Sequence, residues 1–345
     1  MRSQLMNILR TLFVALIALS FASCEHKDLC YHHPHSVKII VKFDWSKAPD
    51  ANPAGMCVFF YPESGGEARR FDFSGRNGGQ IEINIGKYRA IAYNNDTEAV
   101  RYANGSFENH RLYTREGQLL EPMEIAGDFR PTLPEEAQGN RVVITPDQVW
   151  GASAEMIEIT MDGTYYDHET ITGDMSGPQL KVDNTGEIVE ITFTPEDVVC
   201  HYSYEYINVN HLSSRHKLSA ALTGMAGVYY PGMWELHTDR VTLPFEARSD
   251  KNSRIVGDFL TFGHHNKNAQ PHRMVLYVVS ADADGKPIAK AFTTDVTDQV
   301  HGAENPRRVH IVISDTINLP VPIEGGSGFA PTVDDWDVVE EDIIM

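Results

Sequence analysis

Four histidines and a cysteine stand close together near the start of the chain: His26, Cys30, His32, His33 and His35. Imidazoles and a thiolate at such spacing can ligate Zn²⁺ or Cu²⁺. Pro34 interrupts any regular element that would organise them, and no second ligand pair follows at zinc-site spacing. The competing reading is a solvated tether. His264-His265 forms a second pair, which reads as a polar loop between Phe262 and Pro271. Asp282-Ala283-Asp284-Gly285 echoes the start of a calcium loop but lacks the later carboxylates such a loop needs, so a hairpin turn is the better reading.

Catalytic patterns are missing at the level of sequence. There is no G-x-S-x-G, H-E-x-x-H, Walker loop or G-x-G-x-x-G in a βαβ setting. A carboxylate pair such as Glu158 with Asp162 can be nominated, but a chain with 48 acidic residues offers such pairs everywhere. No catalytic residue and no cofactor is expected. The aromatics suggest contact rather than chemistry: Tyr202, Tyr204, Tyr206 and Trp234 are candidates for stacking on a glycan or filling a partner's pocket. The three tyrosines share one strand face by period two, which core packing explains equally well.

The address is clearer than the activity. Arg2 and Arg10 precede an apolar run from Thr11 to Phe21. That run is short of the ~20 residues that span a bilayer and suits a secretory signal. It ends in Phe21-Ala22-Ser23-Cys24, which resembles a bacterial lipobox despite phenylalanine in place of the usual leucine. Cys24 is then the acylated N-terminus of the mature chain, each buried CH₂ of its acyl groups contributing about 0.8 kcal/mol. Ordinary signal cleavage at the same small residues is the alternative. Of the remaining thiols, Cys30, Cys57 and Cys200, an odd number allows at most one disulfide. Cys30 with Cys57 would tie the tether to the first domain, whereas Cys57 and Cys200 also read as small buried hydrophobes.

The elements that would carry these residues are strands. The chain has 345 residues, 42% of them hydrophobic, and a formal charge of -19. Nucleic acid is excluded as a partner by that charge, which becomes -21 once residues 1–23 are removed. Period-two alternation marks Val37–Asp44, Gln80–Ile85 and Glu187–Phe193, and a short apolar run at Met56–Tyr61 suits a strand buried on both faces. Further strands are expected at Tyr88–Tyr93, Arg141–Ile144, Met156–Met161, His201–Val209, Met274–Ser280, Ala289–Thr294 and Val309–Ser314. Arg215–Met225 reads as a helical turn or two. The organisation expected is a signal at 1–23, a tether at 24–35, a β-sandwich at 36–173, a linker at 174–186, a second sandwich at 187–324 and an acidic tail at 325–345. The apolar residues of that tail suit either an extended pairing strand or a frayed terminus.

Several short motifs also resemble a known family. They are Cys24 with Asp28-Leu29-Cys30-Tyr31, Phe43-Asp44-Trp45, Gly55-Met56 before Cys57–Tyr61, and Ile85-Gly86-Lys87-Tyr88 leading to Ile91-Ala92-Tyr93-Asn94-Asn95. Leu222-Thr223-Gly224-Met225-Ala226 and Val333-Asp334-Asp335-Trp336 complete them. Together they resemble lipoproteins of the FimB/Mfa-type fimbrial anchor family. The resemblance implies an all-β protein with two tandem transthyretin-like, Greek-key sandwiches. It further implies a non-enzymatic lipoprotein of the outer membrane, surface-exposed, anchoring or capping fimbrial shaft subunits through β-strand pairing. The rival expectations are a surface glycan-binding lipoprotein using the aromatics and a metal-binding lipoprotein using His26, His32, His33 and His35.

Overall fold

The alternation in Val37–Asp44 becomes a strand that buries Ile39, Val41 and Phe43 while Lys38 and Lys42 are in contact with solvent. The computed structural model describes residues 36–124, 131–160, 163–165, 189–214, 216–250, 253–265, 271–281, 287–321 and 338–342. In the first half of the chain the strands are β1 (Ser36–Phe43), β2 (Gly55–Pro62), β3 (Arg69–Ser74), β4 (Gly79–Asn84), β5 (Gly86–Asn94), β6 (Val100–Ala103), β7 (Arg111–Thr114), β8 (Arg141–Val142), β9 (Trp150–Thr160) and β10 (Gly163–Tyr165). Then follow β11 (Val189–Phe193), β12 (Glu196–Asp197), β13 (Cys200–Asn210), β14 (Lys217–Met225), β15 (Val228–Tyr230), β16 (Glu235–Leu236), β17 (Val241–Glu246), β18 (Arg248–Ser249) and β19 (Ile255–Thr261). The last are β20 (Arg273–Ala281), β21 (Pro287–Asp295), β22 (Arg308–Asn318) and β23 (Val338–Asp342), with a short helix α1 (Thr297–His301) before β22.

These strands form two sandwiches and a bridging sheet. In the first, β11-β1-β4 covers β10-β9-β5-β2-β3, and the core between them holds Val41, Phe43, Met56, Phe60, Ile83 and Phe193. In the second, β18-β19-β13-β22 covers β23-β21-β20-β14-β17-β8 around Tyr204, Leu222, Phe245, Phe259 and Ile311. The bridging sheet, β16-β15-β7-β6, draws two strands from each half of the chain. The protein is all-β in class, as the alternation and turn spacing indicate.

The two sandwiches share chain. β11 runs parallel to β1, with Ile39 opposite Val189, and Ile191 and Phe193 enter the first core. β12 pairs with β9 of the same sandwich. Conversely β8, from the first half, pairs in parallel with β17 of the second. The linker expected at 174–186 lies outside the described residues, and both strands that next follow it belong to the first sandwich.

β2 is buried on both faces, as its unbroken apolar run requires. Met56, Val58 and Phe60 enter the first core, whereas Cys57, Phe59 and Tyr61 meet Tyr93, Phe107, Leu112, Val199 and Tyr229 beneath the bridging sheet. β14 corrects the expectation of helical turns at Arg215–Met225: Lys217–Met225 is a nine-residue strand between β17 and β20. Leu218, Ala220 and Leu222 enter the second core, while Ala221 packs with Leu119, Leu120 and Met123 on the opposite face. Both faces are buried, so no alternation shows, and the small Ser219, Ala220 and Ala221 disguise the strand.

Candidate functional site

An unpaired strand edge presents N–H and C=O groups that template a further strand, so the edges are where strand addition can occur. Among the described residues, three such edges are obstructed, short or charged. Along β22, the Gln299 side chain of α1 occupies the ladder position of Val312: Nε2 donates to its carbonyl at 3.0 Å and Oε1 accepts from its N–H at 2.8 Å. β18 is two residues long, and β3 carries Arg69, Arg70 and Asp72. β21 is different. Its nine residues pair with β20 on one side, and on the other side the chain's own β23 lies parallel to it, from Ala289 opposite Val338 to Thr293 opposite Asp342.

Packing holds β21 in the sheet to which β23 is added. Ala289 and Ala291 are buried against the Leu119–Met123 segment, and Phe292 is buried in the second core. The hairpin read at Asp282–Gly285 is bracketed by Ala281 opposite Pro287, although residues 282–286 lie outside the described residues. Of the two alternatives for the acidic tail, residues 338–342 take the paired one.

The aromatic candidates divide. Tyr202, Tyr204 and Tyr206 are 1%, 1% and 0% exposed, so of their two readings, glycan contact and core packing, they take core packing. Tyr204 donates to the Glu246 carbonyl at 2.9 Å, and the Tyr202 hydroxyl lies 3.4 Å from His264 Nδ1. The Tyr206 hydroxyl has no partner among the described residues. Burial raises the pKa of all three phenols above its ordinary value. Trp234 is half-buried, in a left-handed backbone conformation (φ 53°), and its Nε1 donates to Ser153 Oγ at 2.6 Å.

Cys57 is fully buried, its Sγ donating to the Tyr93 carbonyl at 3.4 Å, and burial pushes the thiol up to about 12. Cys200 is likewise buried and pushed up to about 11. Both are free thiols. The other sequence candidates (Cys24, Cys30, His26, His32, His33 and His35) lie outside the described residues.

Two clusters emerge only in three dimensions. His264, His272 and His301 bring their rings together, with centroids 4.9 to 5.3 Å apart. His272 Nδ1 lies 2.9 Å from the Thr223 carbonyl and therefore carries the proton, leaving Nε2 to accept from His301 Nε2 at 3.0 Å. Gly224 makes this approach possible: its φ is +80°, and a Cβ there would lie 2.9 Å from His272 Nδ1. Burial lowers the pKa of His264 to about 4 and lowers that of His272. The rings of His264 and His301 stack at 13°, so their lone pairs lie in parallel planes rather than converging. Among the described residues no group of three His, Cys, Asp or Glu forms a metal-holding arrangement. The cluster is a hydrogen-bonded packing unit.

The second cluster has the composition of a hydrolytic triad. Ser203 Oγ lies 2.9 Å from His310 Nδ1, and His310 Nε2 lies 3.4 Å from Glu205 Oε1. All three are on the outer face of the β13–β22 pair. β13 is hydrogen-bonded on both sides, to β19 and β22, so its N–H groups are committed to ladders and form no oxyanion hole. The arrangement can hold a proton, but it offers no stabilisation to a developing oxyanion. No sequence motif announced either cluster, because each is completed by a histidine from a distant segment, His301 in one and His310 in the other.

Comparison with known proteins places this geometry among relatives. The chain is similar, at 21% identity over 94% of its length and 95% of the relative's, to a Bacteroides ovatus protein described as the fimbrium anchoring subunit Fim4B. Its fold matches the crystal structure of a Bacteroides ovatus protein described as an adhesin, with a TM-score of 0.53 and 18% identity over 88% of this chain and 99% of that one. The fimbrial anchor protein Mfa2 of Porphyromonas gingivalis is a more distant likeness, with a TM-score of 0.44 and 13% identity over 81% and 91% of the two chains. Residues 23–246, more than half of the chain, match the family model described as a domain of unknown function, DUF5119, and the chain belongs to that family.

Proposed function

We propose that this chain is a non-enzymatic, cell-surface component of a fimbrium, lipid-anchored in the outer membrane, that holds a partner subunit by β-strand addition at the β21 edge. The observation that carries this reading is the parallel ladder between β21 and the chain's own Val338–Asp342. It marks an edge suited to an added strand, while the edge of β22 is blocked by Gln299. The likeness to Fim4B over nearly the full length of both chains supports the same direction. In this reading residues 1–23 are the signal, acylated Cys24 and the tether to residue 35 transmit load to the membrane, and the sandwiches serve as a rigid body between membrane and shaft.

Two arms test it. Cys24→Ala is expected to move the protein out of the membrane fraction, and the intact protein is expected to co-purify with fimbrial shaft subunits. Retention of the Cys24→Ala protein in membranes would refute the lipid anchor; failure of shaft subunits to co-purify from fimbriated cells would refute the fimbrial role. The glycan-binding alternative loses its principal support, because Tyr202, Tyr204 and Tyr206 face the core.

A further inference from the structure

A cleft of about 180 Å³ opens where the start of β13, the β15–β16 turn, the loop after β19 and the turn before β22 meet. Three aromatic rings line it. Tyr229 and Phe262 stack with centroids 6.2 Å apart and planes 15° apart, and Trp234 stands edge-on to Tyr229 at 83°. Two lining residues adopt left-handed backbone, Trp234 at φ 53° and Gly263 at φ 108°. A Cβ on Gly263 would sit 3.4 Å from Cys200 Sγ and 3.6 Å from Leu236 Cδ1, both of them walls of the cleft. Glycine therefore keeps the space open as well as permitting the turn.

The polar side chains lining the cleft are few: His264, the Tyr229 phenol and Arg307, beside the Trp234 indole whose N–H is given to Ser153. Tyr229 is 5% exposed, and its hydroxyl has no hydrogen-bond partner among the described residues. That oxygen is sealed from solvent, so Tyr229 offers the cleft ring surface rather than a hydrogen bond. Arg307 lies at the exposed rim, where it donates to the Asp197 carbonyl and keeps further N–H donors. The nearby carboxylates are engaged elsewhere: Glu196 pairs with Lys47 at 3.5 Å, and Asp197 accepts from Gln148 at 2.8 Å.

Size and lining narrow the ligand. A dry cavity of about 150 Å³ holds one benzene ring, so this cleft fits one six-membered ring and a small substituent. Its walls offer too few polar partners for the hydroxyls of a sugar, and the rim offers a planar cation suited to a carboxylate. We propose that this cleft binds a small aromatic carboxylate, with the ring against Tyr229, Trp234 and Phe262 and the carboxylate on Arg307.

The test uses the full-length protein titrated by calorimetry with phenylacetate, benzyl alcohol and glucuronate, and hydrogen exchange to locate the site. Phenylacetate is expected to bind with Kd below about 1 mM, given the efficiency of good small ligands, and to slow exchange at residues 228–237 and 260–265. Arg307→Gln, an exposed substitution that leaves the core untouched, is expected to weaken binding at least tenfold, with Arg307→Lys intermediate. Equal binding of benzyl alcohol and phenylacetate would overturn the role of Arg307. Tighter binding of glucuronate would replace the aromatic ligand by an acidic sugar. No binding of phenylacetate, or exchange protection only elsewhere, would overturn the site.

Discussion

Ala289 of β21 pairs in parallel register with Val338 of β23, so a strand near the C-terminus lies on a strand of the second sandwich. Ala289, Ala291 and Phe292 of β21 are buried against other segments of the chain. The ladder supplies main-chain hydrogen bonds that any extended segment can replace.

Removal of residues 325–345 is therefore expected to leave the fold intact and to expose an acceptor edge. A synthetic peptide of residues 331–345 should bind the shortened protein and bind the full-length protein at least tenfold more weakly, because the tethered tail competes at an effective concentration in the millimolar range. Fluorescence anisotropy of the labelled peptide measures both. Equal affinities would mean that the tail does not guard this edge.

Two tyrosines two residues apart should respond oppositely to loss of their hydroxyls. Tyr204 donates to the Glu246 carbonyl, so Tyr204→Phe is expected to cost about 1 kcal/mol. The fully buried Tyr206 hydroxyl has no partner among the described residues, so Tyr206→Phe should be neutral or stabilising by up to about 1 kcal/mol. Urea denaturation midpoints decide this; a Tyr206→Phe protein less stable than Tyr204→Phe would contradict the assignment.

Acid should destabilise the protein before its carboxylates protonate. His110 is fully buried with Tyr61 Oη 2.6 Å from Nδ1 and Tyr93 Oη 3.0 Å from Nε2, and burial lowers its pKa to about 4. His264 is lowered to about 4 as well, and His216 and His272 are lowered mainly by burial. An unfolded histidine takes its proton near pH 6.5 while the folded one stays neutral to about pH 4, so the unfolded state binds more protons across that window. Stability is therefore expected to be full above about pH 6.5 and to fall as pH drops toward 4, with His110 alone accounting for about 3 kcal/mol when the fall is complete. Glu108, which the Arg89 guanidinium holds near 2, loses its contribution at lower pH. Thermal midpoints at pH 7.5 and 4.5, for the native protein and for His110→Gln, measure the slope; an unchanged slope in the variant would remove His110 from the account.

Neither core thiol should react in the native state. Cys57 and Cys200 are buried and their thiols are pushed up to about 12 and about 11, so almost no thiolate is present at pH 8. Alkylation followed by peptide mapping is expected to leave both unmodified until the protein is unfolded. Recovery of a peptide cross-linked through Cys30 and Cys57 would instead restore the disulfide considered from sequence.

The sequence by itself determined the all-β class and most of the long strands, because alternation is a local property: Val37–Asp44, Gln80–Ile85 and His201–Val209 each carry it in a few consecutive residues. It also marked Met56–Tyr61 as buried on both faces, since no polar residue interrupts that run. Only the tertiary structure decided which strands meet. β11 joins the first sandwich through its parallel ladder with β1, although its residues alternate no differently from those of β13. β14 escaped the pattern because both of its faces are buried and its small Ser219, Ala220 and Ala221 lack the bulky apolar run that marks β2, and the histidine cluster escaped because His264, His272 and His301 come from separate segments. Period two fixes which side of a strand is apolar, but pairing between distant strands depends on how complete cores close around them. The choice of β21 as the strand that receives the tail is a property of the assembled sheet, where packing and edge protection leave that ladder to be filled.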